Sequence, residues 1–273
     1  MKKIAYLGPE SSYSHLAAQR IAGGDDSLVA MPSFSDVFFA VRERRADMAV
    51  LPIENSAEGN VNEVADGLIF DDAKTPLFIN AEFVLKIENY LIAQKTAELR
   101  RIERIVTHWQ PYAQCRRALK KLLPDAAIIF SDSTSAAVAG LSDDRTAAIG
   151  GIQSVKENLQ VLGTTVNDMA GNCTRFVVLS SADTVTTASD KLTVVFEAEN
   201  RPGGLLKLLE IFNVFGVNMT RIESRPHKSV LGRYVFIADL SGNVLDNNTS
   251  SALELIKRST VYFKYLGCYT ASC

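Results

Sequence analysis

The sequence is poor in the residues that build disulfide frameworks and metal sites. Its four cysteines, Cys115, Cys173, Cys268 and Cys273, lie far apart and form no Cys-x-x-Cys pair, so neither a disulfide framework nor a zinc site is indicated. The three histidines of the chain also lack the spacing of metal ligands. We therefore expect no bound metal.

Long apolar runs and strong charge are missing as well. No stretch of about 18 apolar residues occurs, and Gly8-Pro9 interrupts the amino terminus too early for a signal peptide. A net charge of −2 gives no field that would attract nucleic acid, and the basic clusters at 42–45 and 116–121 are interpreted as solvated helix faces. We expect a cytoplasmic protein without a nucleic-acid or membrane partner.

Short apolar runs alternate with helical patterns over the first 180 residues, which is typical of α/β domains with largely parallel sheets. Segment 83–93 is interpreted as chain that crosses between two lobes, with lobe 1 at about 1–80 and 168–180 and lobe 2 at about 81–167. Two lobes joined by two crossings leave a cleft, as in bilobal periplasmic-binding proteins. Strands are predicted at 3–7, 48–51, 105–107, 127–130, 147–149 and 174–179, and helices at 14–21, 34–44, 111–122 and 135–141.

A small, polar segment at 181–190 separates a third unit from the two lobes. Because it has no hydrophobic period, we interpret it as a linker and a candidate hinge. The following residues, 191–273, have the order strand, helix, strand, strand, helix, strand, which predicts a ferredoxin-like βαββαβ domain. Its elements are predicted at 192–197, 205–215, 218–224, 233–240, 250–258 and 261–268.

The segment Leu51-Pro-Ile-Glu-Asn-Ser-Ala-Glu-Gly-Asn-Val61 places an acid, an amide and a hydroxyl directly after an apolar strand. Pro52 has no backbone donor, so we expect strand pairing to end there and Glu54, Asn55 and Ser56 to lie at the strand's carboxyl end. In open α/β sheets ligands bind at that edge. A polar turn with an Asx cap explains the same residues, and this segment alone leaves both interpretations open.

A second motif, Asn172-Cys-Thr-Arg-Phe176, places a hydroxyl and a guanidinium at the start of an apolar strand. The guanidinium of arginine is a planar fork of donors that matches a carboxylate. Arg175 is therefore a candidate carboxylate ligand beside the hydroxyl of Thr174.

Three loops, at 8–14, 107–110 and 131–135, each follow an apolar strand, contain hydroxyl or polar side chains and lead into a helix. A helix amino terminus carries unpaired N–H groups and the positive end of the helix dipole, so it can bind an anion. Each loop taken alone is more often a helix cap than a binding site. Three such loops around one cleft would suit a ligand with more than one carboxylate.

The Pro-Ile-Glu-Asn-Ser segment at 52–56 and the Thr-Arg-Phe segment at 174–176 resemble the hallmarks of the prephenate dehydratase family. Arg201-Pro-Gly-Gly-Leu205 and Glu223-Ser-Arg-Pro226 resemble the effector motifs of that family's regulatory ACT domain. The resemblance implies a bilobal catalytic domain over 1–180, an ACT domain over 191–273, and loss of carbon dioxide and water from prephenate to give phenylpyruvate. Aromatisation drives this reaction, so no cofactor is implied.

The resemblance also implies roles for single residues. Thr174 is expected to be catalytic as a hydrogen-bond donor to the leaving hydroxyl, together with Glu54 and Asn55, although a structural ion pair remains open for Glu54. The substrate-binding residues are expected to be Arg175, Phe176, Ser56, Ser11, Ser12, Thr107, His108, Gln110, Gln114, Ser133 and Thr134. The residues that bind the effector L-phenylalanine are expected to be Asn200, Pro202, Gly203, Gly204, Leu205, Glu223, Ser224, Arg225 and Pro226.

Two further functions stay open. An arogenate dehydratase acts on a substrate with an amino group in place of the keto group, and a bilobal unit with an ACT domain could also serve as a non-catalytic sensor of small molecules or amino acids. The leading expectation is a monofunctional prephenate dehydratase, feedback-regulated by phenylalanine. Pairing of ACT domains predicts a homodimer or homotetramer.

Overall fold

The computed structural model of the chain describes residues 1–71 and 74–271. Two lobes are built from residues on either side of two crossings, and a third unit follows them. The strands of the lobes are β1 (Lys3–Leu7), β2 (Ser27–Met31), β3 (Met48–Asn55), β4 (Gly59–Asn60), β5 (Phe78–Lys86), β6 (Tyr90–Gln94), β7 (Arg104–Thr107), β8 (Ala127–Phe130), β9 (Thr146–Gly150), β10 (Leu159–Thr165) and β11 (Cys173–Ser180). The helices are α1 (Tyr13–Ile21), α2 (Phe34–Arg42), α3 (Asn62–Ile69), α4 (Trp109–Leu122) and α5 (Thr134–Ala139), with 3₁₀ turns at Leu99–Arg101 and Ile152–Ser154.

The first lobe contains a mixed sheet of strand order β2-β1-β3-β11-β5. β1 is parallel to β2 and β3, β11 is antiparallel to β3 and β5, and β4 forms a hairpin with β3. Side chains alternate between the faces of a strand. On β11, Phe176 and Val178 pack with α1 residues such as Ala17, whereas Val177 and Leu179 belong to an apolar cluster on the opposite face.

The second lobe has the strand order β10-β6-β9-β7-β8. β7 is parallel to β8 and β9, and β6 is antiparallel to β9 and β10. The α/β class is as expected, but both sheets are mixed, because the strands that lead into and out of the crossings run against their neighbours.

The lobes are joined at 87–89 and 166–172, between β5 and β6 and between β10 and β11. The first lobe therefore continues to Lys86, beyond the expected limit near residue 80, because the whole of β5 pairs with β11. Residues 72–73, which lie within the predicted first lobe, and 272–273, at the end of the predicted third unit, are outside the described residues.

The third unit has the predicted βαββαβ order. It consists of β12 (Lys191–Glu197), α6 (Gly204–Val214), β13 (Met219–Pro226), β14 (Tyr234–Ser241), α7 (Asn247–Ser259) and β15 (Tyr262–Tyr269). The antiparallel sheet has the order β13-β14-β12-β15. Leu208 and Phe212 of α6 and Ala252 and Ile256 of α7 cover one face of this sheet.

The other face of the third sheet packs on the first lobe. Val195, Val235, Ile237 and Leu266 join the apolar cluster of the first lobe that contains Val177 and Leu179. At Gly267 a side-chain Cβ would lie 2.2 Å from the Ile79 carbonyl oxygen, so only glycine allows β15 to approach β5 this closely.

The predicted linker is tied to both of its neighbours. Asn80 of β5 donates to the carbonyl oxygen of Ala182 at 2.8 Å, and Asn243 of the third unit donates to the carbonyl oxygen of Ser189 at 2.8 Å. A hinge at 181–190 would have to break these bonds.

Strand β3 corrects the expectation that pairing ends at Pro52. It continues to Asn55 and pairs with β11 up to the Asn55–Thr174 partnership. Beyond Val50, β1 no longer pairs with β3, so a proline there removes no bond on that side. On the β11 side the register shifts between Arg175 and Phe176, which is a β-bulge.

The sequence did not predict β2, β4, β10 or α3. Segment 83–93, interpreted as crossing chain, instead contains the end of β5 and nearly all of β6, and only 87–89 cross between the lobes there. Helix α3 begins after Val61, which provides no side-chain cap, so the usual start signal of a helix is missing. Among the helices of residues 1–71 and 74–271, none combines the length and the apolar character needed to cross a bilayer.

Candidate active site

A cleft of about 500 Å³ lies between the two lobes. Its wall combines polar side chains from both lobes with apolar residues such as Phe34, Val61 and Ile87. Of the residues expected to catalyse or bind substrate, the cleft wall contains Ser11, Ser12, Asn55, His108, Gln110, Gln114, Ser133, Thr134, Thr174 and Phe176.

The amino termini of α1, α4 and α5 meet at this cleft, as the three loop sequences predict. Ser12 caps α1 by accepting from the His15 N–H at 3.1 Å, and Ser133 caps α5 by accepting from the Ala136 N–H at 3.0 Å. His108 occupies the N-cap position of α4. The capping and the cleft-lining interpretations therefore both hold for the α1 and α5 loops, whereas the α4 loop lines the cleft without a side-chain capping bond.

Thr174 and Asn55 face each other on β11 and β3 at the cleft wall. The Asn55 side-chain oxygen accepts from the N–H groups of Ala57 at 2.9 Å and Glu58 at 3.1 Å, which is the expected Asx turn. These two bonds fix the orientation of the amide. Its Nδ2 therefore points to Thr174 and donates to Oγ1 at 2.9 Å.

This hydrogen bond determines what the Thr174 hydroxyl can do. Because Oγ1 accepts from Asn55, the hydroxyl hydrogen remains available as a donor. Thr174 is only 8% exposed and lies in the cleft wall, so the site has a largely desolvated donor held by a second side chain.

The β-bulge decides which side chains of the Pro-Ile-Glu-Asn-Ser segment enter the cleft. Pro52 lines the cleft and pairs with Phe176, and strict alternation would place Glu54 on the same face. Ile53 is the extra residue of the bulge and is fully buried in the opposite apolar cluster. The phase therefore shifts by one residue, and Asn55 takes the position facing the cleft.

Glu54 and Arg175 form the next cross-strand pair and lie on the face opposite Thr174. The Arg175 guanidinium lies 3.1 Å from Glu54, 2.8 Å from Glu82 and 2.9 Å from Asp239 of the third unit. The structure thus corrects the expected placement of both residues in the cleft. It favours the ion-pair interpretation of Glu54.

These residues belong to a larger set of charges between the first lobe and the third unit, which we call the buried ion cluster. Lys191 lies 2.7 Å from Glu82, and Arg221 lies 3.7 Å from Glu54 and 3.9 Å from Asp239. Burial disfavours the charge on Arg175, but Asp239 and Glu82 outweigh that effect and raise its pKa. The cluster consists of Glu54, Glu82, Arg175, Lys191, Arg221, Glu223 and Asp239.

Two other predicted substrate-binding residues support the site from behind. Ser56 accepts from the Cys173 N–H at 3.0 Å and so ties the segment after β3 to the start of β11. Thr107 is fully buried and donates to the His108 carbonyl oxygen at 3.1 Å. Their side chains hold the backbone of two cleft-lining segments.

Sequence reasoning missed an amide network in the cleft. Asn172 Nδ2 donates to Gln114 Oε1 at 3.0 Å, and Asn55 Nδ2 donates to Asn172 Oδ1 at 3.0 Å. Asn89 also donates to Gln114, and Glu58 accepts from Gln110 and Gln114. Asn172 and Glu58 lie inside the two motifs, so the polarity of those segments was a usable signal; Asn89 gave none.

The charges of the cleft wall are few. Glu58 and Asp132 line it, and its described lining includes neither lysine nor arginine. Any carboxylate bound here would be received by helix amino termini, hydroxyls and amides rather than by a lysine or arginine side chain.

The expected effector residues lie in two places. Asn200 and Leu205 line a cavity of about 170 Å³ beside the turn into α6, together with Arg233 and Tyr234. Pro202, Gly203 and Gly204 form that turn, where Gly203 has the positive φ of 78°. A Cβ at Gly204 would lie 2.1 Å from the Glu199 carbonyl oxygen, so the turn is too tight for alanine without a backbone shift.

The remaining effector residues lie on edge strand β13. Glu223 lies 2.5 Å from Arg221, and Arg225 donates to Asp66 of α3 at 2.8 Å. Ser224 and Pro226 are on the alternate, exposed side of the strand. In the described chain these four residues do not line the cavity beside Asn200.

The fold and the site define a bilobal α/β protein with a polar ligand cleft, followed by a ferredoxin-like domain. The prephenate dehydratase family model matches residues 4–184, and the ACT domain model matches residues 192–254. The chain belongs to the prephenate dehydratase family and carries an ACT domain. It is a lyase of the dehydratase class.

Known proteins are similar to the chain over nearly its whole length. A prephenate dehydratase of Lactococcus lactis subsp. lactis is 37% identical over 276 residues, covering 98% of this chain and 97% of the relative. A prephenate dehydratase of Arthrobacter aurescens, solved in complex with L-Phe, is similar with a TM-score of 0.89 and 33% identity, covering 98% of this chain and 90% of that one. GqqA, described as a quorum quenching acylase, is similar with a TM-score of 0.87 and 27% identity, covering 99% and 98%.

Proposed function

We propose that Thr174, held by Asn55, donates a hydrogen bond to the hydroxyl that leaves prephenate. The carboxylate on the ring departs as carbon dioxide, its bonding electrons form the aromatic ring, and the carbon–oxygen bond to the hydroxyl breaks. A proton from solvent completes the water. The observation that carries this proposal is the 2.9 Å bond from Asn55 Nδ2 to Thr174 Oγ1, which leaves the hydroxyl hydrogen free to point into the cleft.

The charge of the cleft wall supports the decarboxylation step. Negative charge leaves the ring carboxylate in the transition state, so a cation beside it would stabilise the ground state more than the transition state. The described lining has neither lysine nor arginine. Prephenate has a second carboxylate, on its own side chain. The helix amino termini capped by Ser12 and Ser133 offer the fixed donors that this carboxylate needs.

The same geometry does not favour acyl transfer. A threonine nucleophile needs a base that removes its proton, and the group that Thr174 faces is the amide nitrogen of Asn55, which is a donor. Arogenate is the second candidate substrate, because the Asp132 carboxylate in the cleft wall could accept from its ammonium group. Tight prephenate binding without product would instead support a sensor.

We further propose that residues 1–180 catalyse the reaction, that 181–190 connect, and that 191–273 regulate it in response to L-phenylalanine. The Phe complex of the Arthrobacter relative supports this. Segment 223–226 would complete the cavity beside Asn200 from a second chain through the exposed Ser224 and Pro226, because Glu223 and Arg225 are engaged with Arg221 and Asp66 of their own chain. This requires a homodimer or a tetramer built from it. The buried ion cluster would couple the two domains, since Asp239 contacts Arg175, the neighbour of Thr174.

The test compares turnover of prephenate and arogenate by the wild-type protein, with and without phenylalanine, by absorbance of the aromatic products. Phenylpyruvate formed preferentially from prephenate and suppressed by phenylalanine would support the proposal. Faster turnover of arogenate would make arogenate the substrate in place of prephenate. If phenylalanine changes neither the rate nor the thermal stability, only the regulatory part of the proposal is contradicted.

A further inference from the structure

Glu58 bridges the two lobes at the cleft. Its Oε2 accepts from Gln110 Nε2 and its Oε1 accepts from Gln114 Nε2, both at 2.5 Å. Glu58 lies on the turn between β3 and β4 of the first lobe, whereas the two glutamines lie on α4 of the second lobe. Residues four apart share one helix face, so a single carboxylate can receive both amides.

The carboxylate also sets the direction of the hydrogen bonds that follow it. An ionised carboxylate only accepts, so Gln114 must turn its Nε2 to Glu58 and its Oε1 to Asn172, which donates at 3.0 Å. Asn172 Oδ1 then accepts from Asn55 Nδ2 at 3.0 Å. The hydrogen bonds therefore all point the same way: Asn55, which holds Thr174, donates to Asn172, Asn172 donates to Gln114, and Gln114 donates to Glu58.

We infer that Glu58 is a positioning residue for the dehydratase reaction. It latches the lobes over the substrate and fixes the orientation of Gln114 and of Asn172, whose Oδ1 accepts from the Asn55 amide that holds Thr174. This inference rests on the proposed role of Thr174. Glu58 acts through Gln114 and Gln110, so its hydrogen bonds to these two amides matter and proton transfer does not.

Two substitutions separate these properties. In Glu58→Ala both amides lose their acceptor, and kcat/KM should fall by about tenfold, the loss typical of a hydrogen bond to a charged group. In Glu58→Gln the new side chain can accept from Gln114 through its oxygen and donate to Gln110 once that amide turns over. We expect Glu58→Gln to keep kcat/KM within about threefold of wild type, with an unchanged pH profile.

Glu157→Ala, an exposed acid of the second lobe, is the matched control and should keep wild-type kinetics. Equal losses in Glu58→Gln and Glu58→Ala would overturn the inference and indicate a role for the charge itself. Activity of Glu58→Ala within twofold of wild type would also overturn it. Thermal unfolding of each variant identifies one that merely fails to fold, in which case Glu58→Gln carries the test.

A double-substitution cycle with Gln114→Ala tests the connection between the residues. If Glu58 acts through Gln114, the double variant should be no more than about twofold worse than Gln114→Ala alone. If the losses of the two single variants multiply in the double variant, Glu58 does not act through Gln114. Thr174→Val is measured in the same series, and an active Thr174→Val would overturn the proposed function. An inactive Thr174→Val together with a fully active Glu58→Ala would overturn only the role of Glu58.

Discussion

Replacing Arg175 by methionine separates two roles that the Thr-Arg-Phe motif could assign to this residue. As a substrate ligand, Arg175 would lower KM for prephenate and its loss would barely change stability. As a member of the buried ion cluster, its loss should destabilise the fold and leave KM nearly unchanged. The structure predicts the second result, since the guanidinium faces Glu54, Glu82 and Asp239.

The size of the effect follows from burial. The Arg175 side chain is 11% exposed, and those of Glu82 and Asp239 are 5% and 1% exposed. Removing one partner of a buried ion pair leaves the other charge uncompensated and typically costs about 3–5 kcal/mol. Lys191 remains 2.7 Å from Glu82, so we expect a loss near the lower end, about 3 kcal/mol.

Urea unfolding at pH 7, followed by circular dichroism, measures this loss, and steady-state kinetics well below the midpoint measure KM. Arg145→Met is the matched control: Arg145 lies 2.7 Å from Glu103, but their side chains are 66% and 55% exposed, so its loss should cost at most about 1 kcal/mol. Equal stability of the two variants, or a large rise in KM for Arg175→Met alone, would refute the reasoning.

Two further predictions concern the ACT domain, one its contact with the first lobe and the other its turn into α6. Burial acts to raise the pKa of Asp66, but the hydrogen bond and ion pair with Arg225 outweigh burial and lower this pKa. The contact therefore stabilises the fold at pH values above the pKa of Asp66 in the unfolded chain, and this stabilisation is lost as pH falls through the pKa in the folded chain. Asp66→Asn should cost about 1 kcal/mol at neutral pH and flatten the acid limb of a plot of unfolding free energy against pH; an unchanged limb would contradict this. Gly204→Ala should cost about 1–3 kcal/mol, because its Cβ would meet the Glu199 carbonyl oxygen at 2.1 Å, and weaken the response to phenylalanine, whereas Gly24→Ala, with nothing within 4 Å of the added Cβ, should leave the melting temperature unchanged.

The chain's periodicity was sufficient to predict two α/β lobes and the βαββαβ unit, because apolar alternation and the breaks between segments are local properties. It could not predict that β5 pairs wholly with β11, since strand partners are chosen by packing across the sheet. The same holds for the mixed direction of both sheets.

The two motifs identified the strands of the site but not the facing of each side chain. On β11 strict alternation separates Thr174 from Arg175, and this much could have been read from the sequence. On β3 the bulge at Ile53 reverses the phase, so Asn55 rather than Glu54 faces the cleft. Pro52 marks the position of such a bulge, but no local signal gives its direction.

The central claim is that a hydroxyl held by Asn55 donates to the leaving group, and kcat for prephenate in Thr174→Ser and Thr174→Val tests it most directly. Serine keeps the hydroxyl, and valine keeps the shape without it. We predict that Thr174→Ser stays within about tenfold of wild type and that Thr174→Val loses about 10²–10³-fold in kcat, the usual effect of removing one positioned donor, with KM little changed. A Thr174→Val enzyme that turns over prephenate as fast as Thr174→Ser would contradict the account.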